Sequence, residues 1–502
     1  MTRRVSSADV IDAVAGGFAP WDDDLRSGDP LHFHDTRGYA DRLDDAAERA
    51  GTSEAVVTGR ARIAGRPAVV IVGAFEFLAG TQGIVVGERV ARAFDRAAAQ
   101  RLPVVGLPTS GGTRMQEGSL AFVQMLKIAA SVGAYRRGGG RYIAWLRHPT
   151  TGGSLASWGS LAHVTWAQPG ALIGLTGPRV IETTEGAALP DHVQRAEHLA
   201  EHGVVDEVVT ARALTTRLPA AIDALGPVTP GTHAPRHPWP DDPVPTPGIG
   251  PPTRADAWTA VEVSRRGDRP GLRALLAGTE DFVRLAGDGA GGRDDGCVTA
   301  ICRLSGTRLV LVGHDRRPGE RGAGLGAVGH RAARRAMGVA GELGLPLVTV
   351  VDTRGAAASA AAETGGVARE IGLSMMAMAA LAVPTVGVLL GEGSGGSALA
   401  WLAADRVVAA EHAWLAPIAP EGASAILFRS ADHAADMARQ QAITASALRW
   451  AGLVDDIVPE YDGWIGTLRD RVGDHLTSLT AVPADERLQR RGERLRRLGT
   501  PA

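Results

Sequence analysis

The order of apolar and polar residues along the chain predicts a repeated strand–strand–helix pattern. The stretch AVVTGRARIAGRPAVVIVGAF at 55–75 holds two β-rich runs around a Gly-Arg-Pro turn, which predicts a hairpin. VTAICRLSGTRLVLVGHD at 298–315 repeats this pattern around Ser-Gly-Thr. Amphipathic segments follow at 85–101 and 329–344, and we expect each to form a helix. Strands that alternate with helices predict an α/β fold in which helices cover the sheets.

The two halves of the chain repeat one another at a nearly constant offset. LPVVGLPTSGG, which starts at Leu102, recurs as LPLVTVVDTRG at Leu345, and the GGS at 152–154 recurs at 395–397. A further pair, GVVDEVV and GLVDDIV, lies near the end of each half. Two stretches that were merely rich in Gly and Ala would not keep this register. The pattern therefore indicates a duplicated domain.

A proline-rich stretch separates the two halves. Because proline cannot continue a helix or a central strand, we interpret this stretch as a semi-rigid linker. The basic tail ADERLQRRGERLRRLGT is interpreted as a helix with a solvated face or as a frayed end. The predicted segments are an N-terminal extension (1–27), a first domain (28–225), the linker (226–254), a second domain (255–460) and a helical tail (461–502).

Composition narrows the class of protein. The 502 residues carry a formal net charge of −2, and only 4% are aromatic. Neither value fits a nucleic-acid-binding protein that relies on bulk charge or base stacking. Cys297 and Cys302 match no metal or redox spacing, which is typical of reduced thiols. We find no signal-peptide pattern and no apolar run long enough for a membrane span, so we expect a cytoplasmic protein without membrane contacts.

Each half also presents two glycine-rich turns, each after an apolar strand. Small residues allow backbone N–H groups to come close to a ligand, and a helix that starts at the turn adds unpaired donors. Two converging N–H groups form an oxyanion hole. Tight strand–helix packing is the alternative, but four turns at matched positions favour paired anion-stabilising sites. The turns are Thr109–Gly112, Thr151–Ser154, Thr353–Ala356 and Ser394–Ser397.

Other chemistries fit the sequence poorly. A phosphate-binding loop needs a lysine after its glycines, and the single lysine is Lys127 in MLKIAA. Neither candidate serine of the turns has the G-x-S-x-G pattern of a nucleophile elbow. His32 and His34 have no third ligand nearby, so surface or packing roles are favoured over a metal site. Glu392 and Glu421 are acid–base candidates, although such residues more often orient backbone or cap a helix.

These stretches resemble the carboxyltransferase component of acetyl-CoA carboxylase and of related acyl-CoA carboxylases. Over most of 28–225 the similarity is to the bacterial β subunit, in DPLHFHDTRGYADRL, FEFLAGTQGIVVGERV, SGGTRMQEG and PTTGGSLAS. The second half resembles the α subunit, in GEGSGGSALAWLAADRVV, PEGASAILFRSADHA and LRWAGLVDDIVPE. The opening part of that half, 255–330, matches more weakly. The chain therefore resembles a β–α fusion.

The resemblance implies a fold and a set of partners. The fold would be two tandem crotonase-like domains, each a ββα superhelix. The first domain would bind acyl-CoA and the second would meet biotin, carried as carboxybiotin on a separate protein. A head-to-tail homodimer is implied, with each site formed between the β-type domain of one protomer and the α-type domain of its partner. Biotin carboxylase and the biotin carboxyl carrier protein would be separate chains.

The resemblance also implies roles for individual residues, without a side-chain nucleophile or a metal. The first-half glycines would hold the thioester oxygen, and the second-half residues would face biotin. The candidate catalytic residues are Gly111, Gly112, Gly152 and Gly153 in the first half, and Gly355, Ala356, Gly395 and Gly396 in the second. The candidate ligand-binding residues are Ser110, Arg114, Thr151, Gly177, Pro178, Arg179, Ser394, Glu421 and Gly422.

Several departures from the family pattern bear on the substrate. No cysteine precedes Cys297, so the four-cysteine zinc ribbon of the bacterial β subunit is absent. Arg354 stands where the family has proline, the glycine run of GEGSGG is one residue shorter, and Asp315-Arg316 replaces Gln-Lys. The only lysine lies outside a biotin-attachment pattern. These departures leave the acceptor acyl group open.

The leading hypothesis is transfer of CO2 from carboxybiotin to a short acyl-CoA, with acetyl-CoA to malonyl-CoA as the simplest case. One alternative is a biotin-independent decarboxylase of malonyl-CoA or another malonyl thioester. Another is a non-catalytic scaffold subunit that binds carrier proteins. The decarboxylase would use the same fold and the same oxyanion-stabilising turns, so the sequence barely separates it from the leading hypothesis.

Overall fold

A computed structural model describes residues 5–228, 257–316 and 324–499. From residue 229 onward, the predicted proline-rich linker lies outside the described residues. The fold is mixed α/β, as the sequence predicts, and its contacts divide the chain into two compact units. Among the described residues, no helix is both long and apolar enough to cross a bilayer.

The first part of the chain alternates strands with helices, as its apolar pattern predicts. Short 3-10 turns at Leu78–Gly80 and Met115–Glu117 and a π-helical turn at Leu155–Gly159 lie between the main elements. The elements are α1 (Ser7–Val14), β1 (Gly16–Trp21), α2 (Tyr39–Ala50), β2 (Val56–Ile63), β3 (Arg66–Gly73), α3 (Ile84–Gln100), β4 (Val104–Leu107), α4 (Gly118–Phe122), α5 (Gln124–Arg137), β5 (Tyr142–Leu146), β6 (Thr150–Thr151), α6 (Gly152–Ser154), β7 (Val164–Ala167), β8 (Ile173–Gly174), α7 (Pro178–Glu185), α8 (Ala196–Glu201), β9 (Glu207–Val208) and α9 (Ala211–Leu225).

The second part of the chain has the same order of strands and helices. Its strands β13 and β14 are buried along their whole length, as expected for parallel strands covered on both faces. The elements are α10 (Ala257–Ser264), α11 (Leu272–Leu276), β10 (Thr279–Leu285), β11 (Cys297–Leu304), β12 (Thr307–His314), α12 (Ala327–Leu343), β13 (Leu347–Thr353), α13 (Ala360–Thr364), α14 (Val367–Ala380), β14 (Thr385–Ser394), α15 (Gly395–Leu399), β15 (Arg406–Ala410), β16 (Trp414–Ala416), α16 (Pro420–Phe428), α17 (Ala434–Gln440), α18 (Ala445–Trp450), β17 (Asp456–Val458), α19 (Trp464–Thr480) and α20 (Ala484–Arg497).

The two main sheets have the same strand order. The first runs β1-β2-β3-β4-β5-β7-β9, and the second runs β10-β11-β12-β13-β14-β15-β17, with β16 paired to β14. In each sheet an antiparallel hairpin, β2–β3 or β11–β12, leads into parallel strands joined through helices. Helix α3 begins at Ile84 and α12 at Ala327, 243 residues later. The duplication indicated by the sequence is thus visible in the topology.

The compact units do not follow the chain halves completely. Among the described residues, unit 1 comprises 5–117, 127–228 and 359–372, and unit 2 comprises 118–126, 257–316, 324–358 and 373–499. Two short segments therefore pack with the unit that the opposite half forms. The predicted boundaries at 28–225 and 255–460 assign each half to consecutive residues, so they do not account for these segments.

Hydrogen bonds and close packing hold the two exchanged segments. Within unit 2, Ser119 donates its N–H to Gln441 O at 2.9 Å and its hydroxyl to Leu415 O at 2.7 Å. Within unit 1, a Cβ on Gly372 would lie 2.3 Å from Ala156 O, so only glycine fits this contact. An amphipathic pattern predicts that such a segment buries one face, but it does not predict against what.

Both chain ends join the sheets or the core more fully than the sequence indicates. Strand β1, from the predicted extension, pairs with β2. In α20, Arg487 and Arg491 are buried, and the Arg491 guanidinium binds both carboxylate oxygens of Asp405, at 2.6 and 2.8 Å. The tail is therefore a helix with an exposed face, as one of the two interpretations predicted, and its buried face shows that the alternative of a frayed end is wrong.

Candidate active site in two matched glycine turns

The first glycine turn of unit 1 follows β4 and is closed by its own serine. The Ser110 hydroxyl accepts the Gly112 N–H at 3.0 Å and contacts Gly112 O at 3.2 Å. Gly112 has φ +117°, a region that favours glycine because a Cβ is strained there. Ser110 also binds the next strand of the site, because Thr151 donates its N–H to Ser110 O at 3.0 Å. These bonds bring the two predicted turns of the first half together.

The second turn starts a helix at Gly152, directly after β6. Gly152 has φ +63°, and a Cβ there would lie only 2.8 Å from Gly112 Cα and 3.7 Å from Thr113 N. The N–H groups of Gly152 and Gly153 come first in the helix, so they have no partner inside it. The structure therefore places paired backbone donors without intrahelical partners beside a neighbouring turn, which is the arrangement of an oxyanion hole.

Two of the predicted donors are used internally. The Gly111 N–H donates to Ala79 O at 2.8 Å, and the Gly112 N–H donates to the Ser110 hydroxyl. The prediction that these two N–H groups hold a substrate oxygen is therefore not supported by the geometry. Both residues instead shape the turn.

Thr113 takes the place of these donors. It forms a parallel bridge with Gln82, whose N–H and C=O bind Gly112 O and Arg114 N at 2.9 Å each. In that pattern the Thr113 N–H faces away from Gln82, on the side of Gly152. The sequence interpretation missed Thr113 because it followed glycines. The offset of 243 would have revealed it as the counterpart of Ala356.

Unit 2 repeats this backbone device. Thr353 Oγ1 contacts both Gly355 N and Gly355 O at 3.2 Å, and Gly355 has φ +124°. Ala356 forms the parallel bridge with Leu325, so its N–H is placed as that of Thr113. Gly395 starts α15 with φ +66°. A Cβ on Gly395 would lie 3.8 Å from Gly355 Cα, so this turn is more open than its counterpart.

Different side chains support the helix that starts at each turn. In unit 1, the hydroxyls of Ser154 and Ser157 contact Gln82 Oε1 at 3.3 and 3.2 Å. In unit 2, Ser397, the counterpart of Ser154, contacts His330 Nε2 at 2.8 Å. Burial lowers the pKa of His330 well below its usual value, aided by nearby positive charge. A neutral His330 therefore positions the residue that follows Gly396.

The remaining serine and threonine candidates are also shaping residues. Thr151 is buried, and its hydroxyl donates to Ser110 O at 3.1 Å. Ser394 is buried at the end of β14, directly before Gly395. Their place at the turns agrees with the sequence prediction. Their burial favours a role in backbone geometry over a direct ligand contact.

Arg114 lies under the first turn and is fully buried. Its guanidinium pairs with Glu54 and with Glu117, the latter at 3.1 Å, and donates to Thr81 O at 2.9 Å. Burial alone would lower the pKa of Arg114, but the carboxylates outweigh it and hold the pKa well above its usual value. These donors are committed inside unit 1, so Arg114 stabilises the turn and does not reach a ligand, contrary to the sequence prediction.

The other residues predicted to bind a ligand lie at the starts of two helices, α7 and α16. Gly177 is the N-cap of α7, Pro178 is its first residue, and the side chain of Arg179 is exposed. In unit 2, α16 also starts with a proline, Pro420, followed by Glu421 and the buried Gly422. Both starts present backbone N–H groups without intrahelical partners. For neither start does the structure describe a direct bond to a glycine turn.

In unit 2, a network of charged side chains lies next to the glycine turn that begins at Ser394. The buried Glu392 lies two residues before Ser394 and pairs with Arg265 at 3.0 Å and Arg316 at 3.1 Å. The Glu392 N–H donates to Asp352 Oδ1 at 3.0 Å. Burial raises the pKa of Asp352, although Arg316 opposes the shift. Because Glu392 is doubly paired, it is a structural residue of this turn and not a free acid or base.

Glu421 joins the same network through Arg265. Its carboxylate binds the Arg265 guanidinium. Burial opposes ionisation, but the Arg265 hydrogen bond and charge outweigh it and lower the pKa of Glu421. Arg354, 56% exposed, has its Nε 3.9 Å from Glu392 Oε2. The family departures at Arg316 and Arg354 therefore meet at this one network.

Comparison with known proteins places these turns in a family. A family model described as acetyl co-enzyme A carboxylase carboxyltransferase-like matches residues 253–499. The chain is 44% identical to the probable biotin-dependent acyl-coenzyme A carboxylase beta3 subunit of Mycobacterium tuberculosis, over 97% of this chain and 96% of that protein. It is 39% identical to the acetyl-coenzyme A carboxylase carboxyl transferase subunits beta/alpha of Salinispora tropica, over 96% and 88% of the two chains.

Among solved structures, a transcarboxylase 12S crystal structure covers 95% of this chain and 90% of that chain. Its sequence identity is 22% and its TM-score is 0.38, values that support no argument about this chain. The sequence relatives span nearly the full length of both proteins, which is decisive for the family. The chain belongs to the carboxyltransferase family of biotin-dependent acyl-CoA carboxylases.

Proposed function

We propose that this protein transfers a carboxyl group from carboxybiotin, held on a separate carrier protein, to the α carbon of a short acyl-CoA. Acetyl-CoA, giving malonyl-CoA, is the simplest substrate. The observation that carries the proposal is the matched pair of helix starts, Gly152–Gly153 and Gly395–Gly396, each beside a turn with an outward N–H. Two tandem crotonase-like domains are the fold that we propose for this arrangement.

The unit 1 turn would hold the thioester oxygen. When the α carbon loses its proton, negative charge moves onto that oxygen. Fixed N–H groups of Gly152, Gly153 and Thr113 would stabilise this charge without any reorganisation. Because Ser110 and Thr151 are committed to the backbone of the turn, the N–H groups hold their position before substrate arrives. Removing one such donor costs about 10²–10³-fold in rate.

The unit 2 turn would face the biotin ring. Carboxybiotin, when bound, supplies the carboxyl group and a ureido nitrogen that can take the α proton. The residues present fit a ureido oxygen, since a Cβ on Gly395 would come no closer than 3.7 Å to a neighbouring atom, Pro417 O, which leaves the helix start open. Ala356, Gly395 and Gly396 would donate to that oxygen. The network around Glu392 would keep Gly395 in place.

A subunit of this kind needs partners. We expect biotin carboxylase and the biotin carboxyl carrier protein as separate chains, and a homodimer of this chain. The support is the family assignment together with the name of the M. tuberculosis relative, which is called a subunit of a biotin-dependent carboxylase.

The test is a substrate panel with a carboxylated carrier. The purified chain is mixed with carboxylated carrier protein and acetyl-, propionyl- or longer acyl-CoA, and the carboxylated products are separated by chromatography. Carrier-dependent malonyl-CoA formation supports the proposal, and a preference for a longer acyl-CoA corrects only the substrate. Carrier-free loss of CO2 from malonyl-CoA would favour the decarboxylase. No turnover with any acceptor, despite carrier binding, would favour the scaffold.

A further inference from the structure

A cluster of three metal-type donors lies at the end of α8, away from the glycine turns in sequence. His198, Glu201 and His202 each offer one ligand atom, and the three atoms lie within 4.8 Å of one another. Among the described residues, this is the group of His, Cys, Asp and Glu side chains that meets this criterion. We propose that His198, Glu201 and His202 bind one divalent transition-metal ion of the Zn²⁺ class.

The spacing explains why the three side chains converge. In HLAEH the histidines are four residues apart and the glutamate is three residues after the first, so all three project from one helix face. The same H-x-x-E-H spacing occurs in zinc-binding helices. The imidazole rings of His198 and His202 have centroids 4.2 Å apart. Two imidazoles and one carboxylate suit Zn²⁺ and its neighbours better than Mg²⁺ or Ca²⁺.

Hydrogen bonds already orient both imidazoles. His202 Nδ1 lies 2.8 Å from His198 O. Because a carbonyl only accepts, Nδ1 carries the proton and leaves Nε2 with a free lone pair when the ring is neutral. His198 Nε2 lies 3.1 Å from Thr364 Oγ1, which leaves Nδ1 to bind the ion. Second partners of this kind fix the ring orientation of metal-binding histidines.

The site connects to the backbone that positions the second glycine turn of unit 1, which starts at Gly152. Residue Arg195, just before α8, bridges Leu172, and Leu172 O accepts the Thr150 N–H at 2.9 Å. Thr150 is in the strand that precedes Gly152. An ion that holds α8 would therefore stiffen the packing behind this turn. The proposal itself rests only on the three donors and not on the proposed function.

The test is direct titration of the whole chain with metal. After chelation and buffer exchange, Zn²⁺ is titrated in competition with a chromophoric chelator, and Co²⁺ is added separately to record its absorption. One equivalent of Zn²⁺ should bind. The double variant His198→Ala with His202→Ala should lose this equivalent or bind it at least about tenfold more weakly. The melting temperature should rise with Zn²⁺ in the wild type and not in the double variant.

Matched controls keep the result specific. His192, whose ring centroid is 5.0 Å from that of His198 but which is outside the three-donor group, should bind normally as His192→Ala. His433→Ala tests an exposed His–Asp pair elsewhere and should also bind normally. The single variant His202→Ala serves if the double variant does not fold. Equal Zn²⁺ stoichiometry and affinity in wild type and variant, or no Zn²⁺ binding at all, would overturn the proposal.

Discussion

The two glycine turns share a backbone and differ in what supports it. In both, a hydroxyl at the matched position closes the turn, a glycine adopts φ near +120°, and a second glycine near +65° starts a helix. The first turn is tighter, since a Cβ on Gly152 would meet Gly112 Cα at 2.8 Å, against 3.8 Å between a Cβ on Gly395 and Gly355 Cα. Duplication has preserved the N–H geometry while the side chains beneath it have diverged.

The side-chain differences show how each half is held. Arg114 and Ala357 are matched positions in the two halves. The Arg114 N–H donates to Gln82 O and the Ala357 N–H donates to Leu325 O. The first half therefore uses a buried ion pair where the second has a methyl group. In the second half, His314 ends β12 where Gly73 ends β3. The comparison predicts that different substitutions and conditions reduce the activity or the stability of the two halves.

The largest effect is expected from Gly152→Ala. The new Cβ would lie 2.8 Å from backbone and the residue would keep a positive φ, so the helix start must shift and its donors with it. We expect carboxyl transfer to fall by at least about 10²-fold, measured with the carrier and acyl-CoA assay. Gly170→Ala is the matched control, because Gly170 has φ +66° but nothing within 4 Å of a Cβ. A Gly152→Ala enzyme as active as Gly170→Ala would contradict the assignment.

Removing the charge partner of Arg114 is expected to have the next largest effect. Glu54→Gln leaves a fully buried guanidinium with Glu117 as its remaining carboxylate partner. Breaking a buried pair in this way costs about 3–5 kcal/mol of unfolding free energy, which denaturant titration at pH 7 measures. Asp268→Asn, in the exposed pair with Arg266, should leave the unfolding free energy nearly unchanged, because solvent screens that pair. Equal effects would show that the Arg114 network does not hold unit 1.

Acid should destabilise unit 2 through its buried imidazoles. Burial lowers the pKa of His314 to about 3, whereas an unfolded histidine titrates near pH 6.5. The unfolded chain therefore binds more protons between these values. The contribution of neutral His314 to the free energy of unfolding is fully present above about pH 6.5. It falls by up to about 1.4 kcal/mol per pH unit as the pH drops toward 3.

Denaturant titrations between pH 7 and pH 5 measure this loss, and hydrogen exchange locates it. His314→Leu should flatten the slope, while His32→Ala, at an exposed position outside the proposed metal site, should leave the slope unchanged. The ring of His314 stacks on Trp401 at 3.9 Å, so a loss of packing will lower stability at every pH. Only the slope tests the claim, and an unchanged slope in His314→Leu would contradict it.

Gly395→Ala should be milder than Gly152→Ala. Its Cβ would meet Pro417 O at 3.7 Å and Gly355 Cα at 3.8 Å, which are ordinary contacts. The remaining cost is the positive φ of +66°, about 1–2 kcal/mol for a residue with a Cβ. Thermal unfolding should show this loss with the fold retained. If thermal unfolding of Gly152→Ala, measured in the same way, showed no larger loss of stability, the two turns would be equally tight.

The smallest effect is expected from Glu421→Gln. Its carboxylate is 38% exposed, and Arg265 keeps its bond to Glu392. We expect less than about 1 kcal/mol in unfolding free energy. Glu392→Gln is the informative comparison, because Glu392 is buried and pairs with two arginines. If Glu421→Gln lowered the unfolding free energy more than Glu392→Gln does, Glu392 would not be the central carboxylate of the network.

Much of the fold could be predicted because the signals are local. The hairpins, the buried parallel strands and the 243-residue repeat all follow from the order of apolar and turn residues. The exchanged segments at 118–126 and 359–372 could not, because a buried helix face does not specify its partner. Nor could the tail, where Arg491 is buried against Asp405, a residue 86 positions away.

The site was predictable to the level of the turns but not of the donors. The glycines mark where the backbone bends, and the structure brings Gly112 and Gly152 together. Which N–H remains unpaired depends on a distant carbonyl, as when Ala79 O takes the Gly111 N–H. Thr113 and His330 are missed for the same reason, since their roles depend on neighbours far away in the chain.

The central claim is that backbone N–H groups of unit 1 hold the thioester oxygen, and infrared difference spectroscopy tests it most directly. With acetyl-CoA labelled with ¹³C at its carbonyl, the C=O stretch of the bound thioester should shift to lower frequency than in water. The shift should persist in Gly395→Ala and shrink in Gly152→Ala. A bound thioester whose carbonyl stretch matches that of free acetyl-CoA would contradict the account.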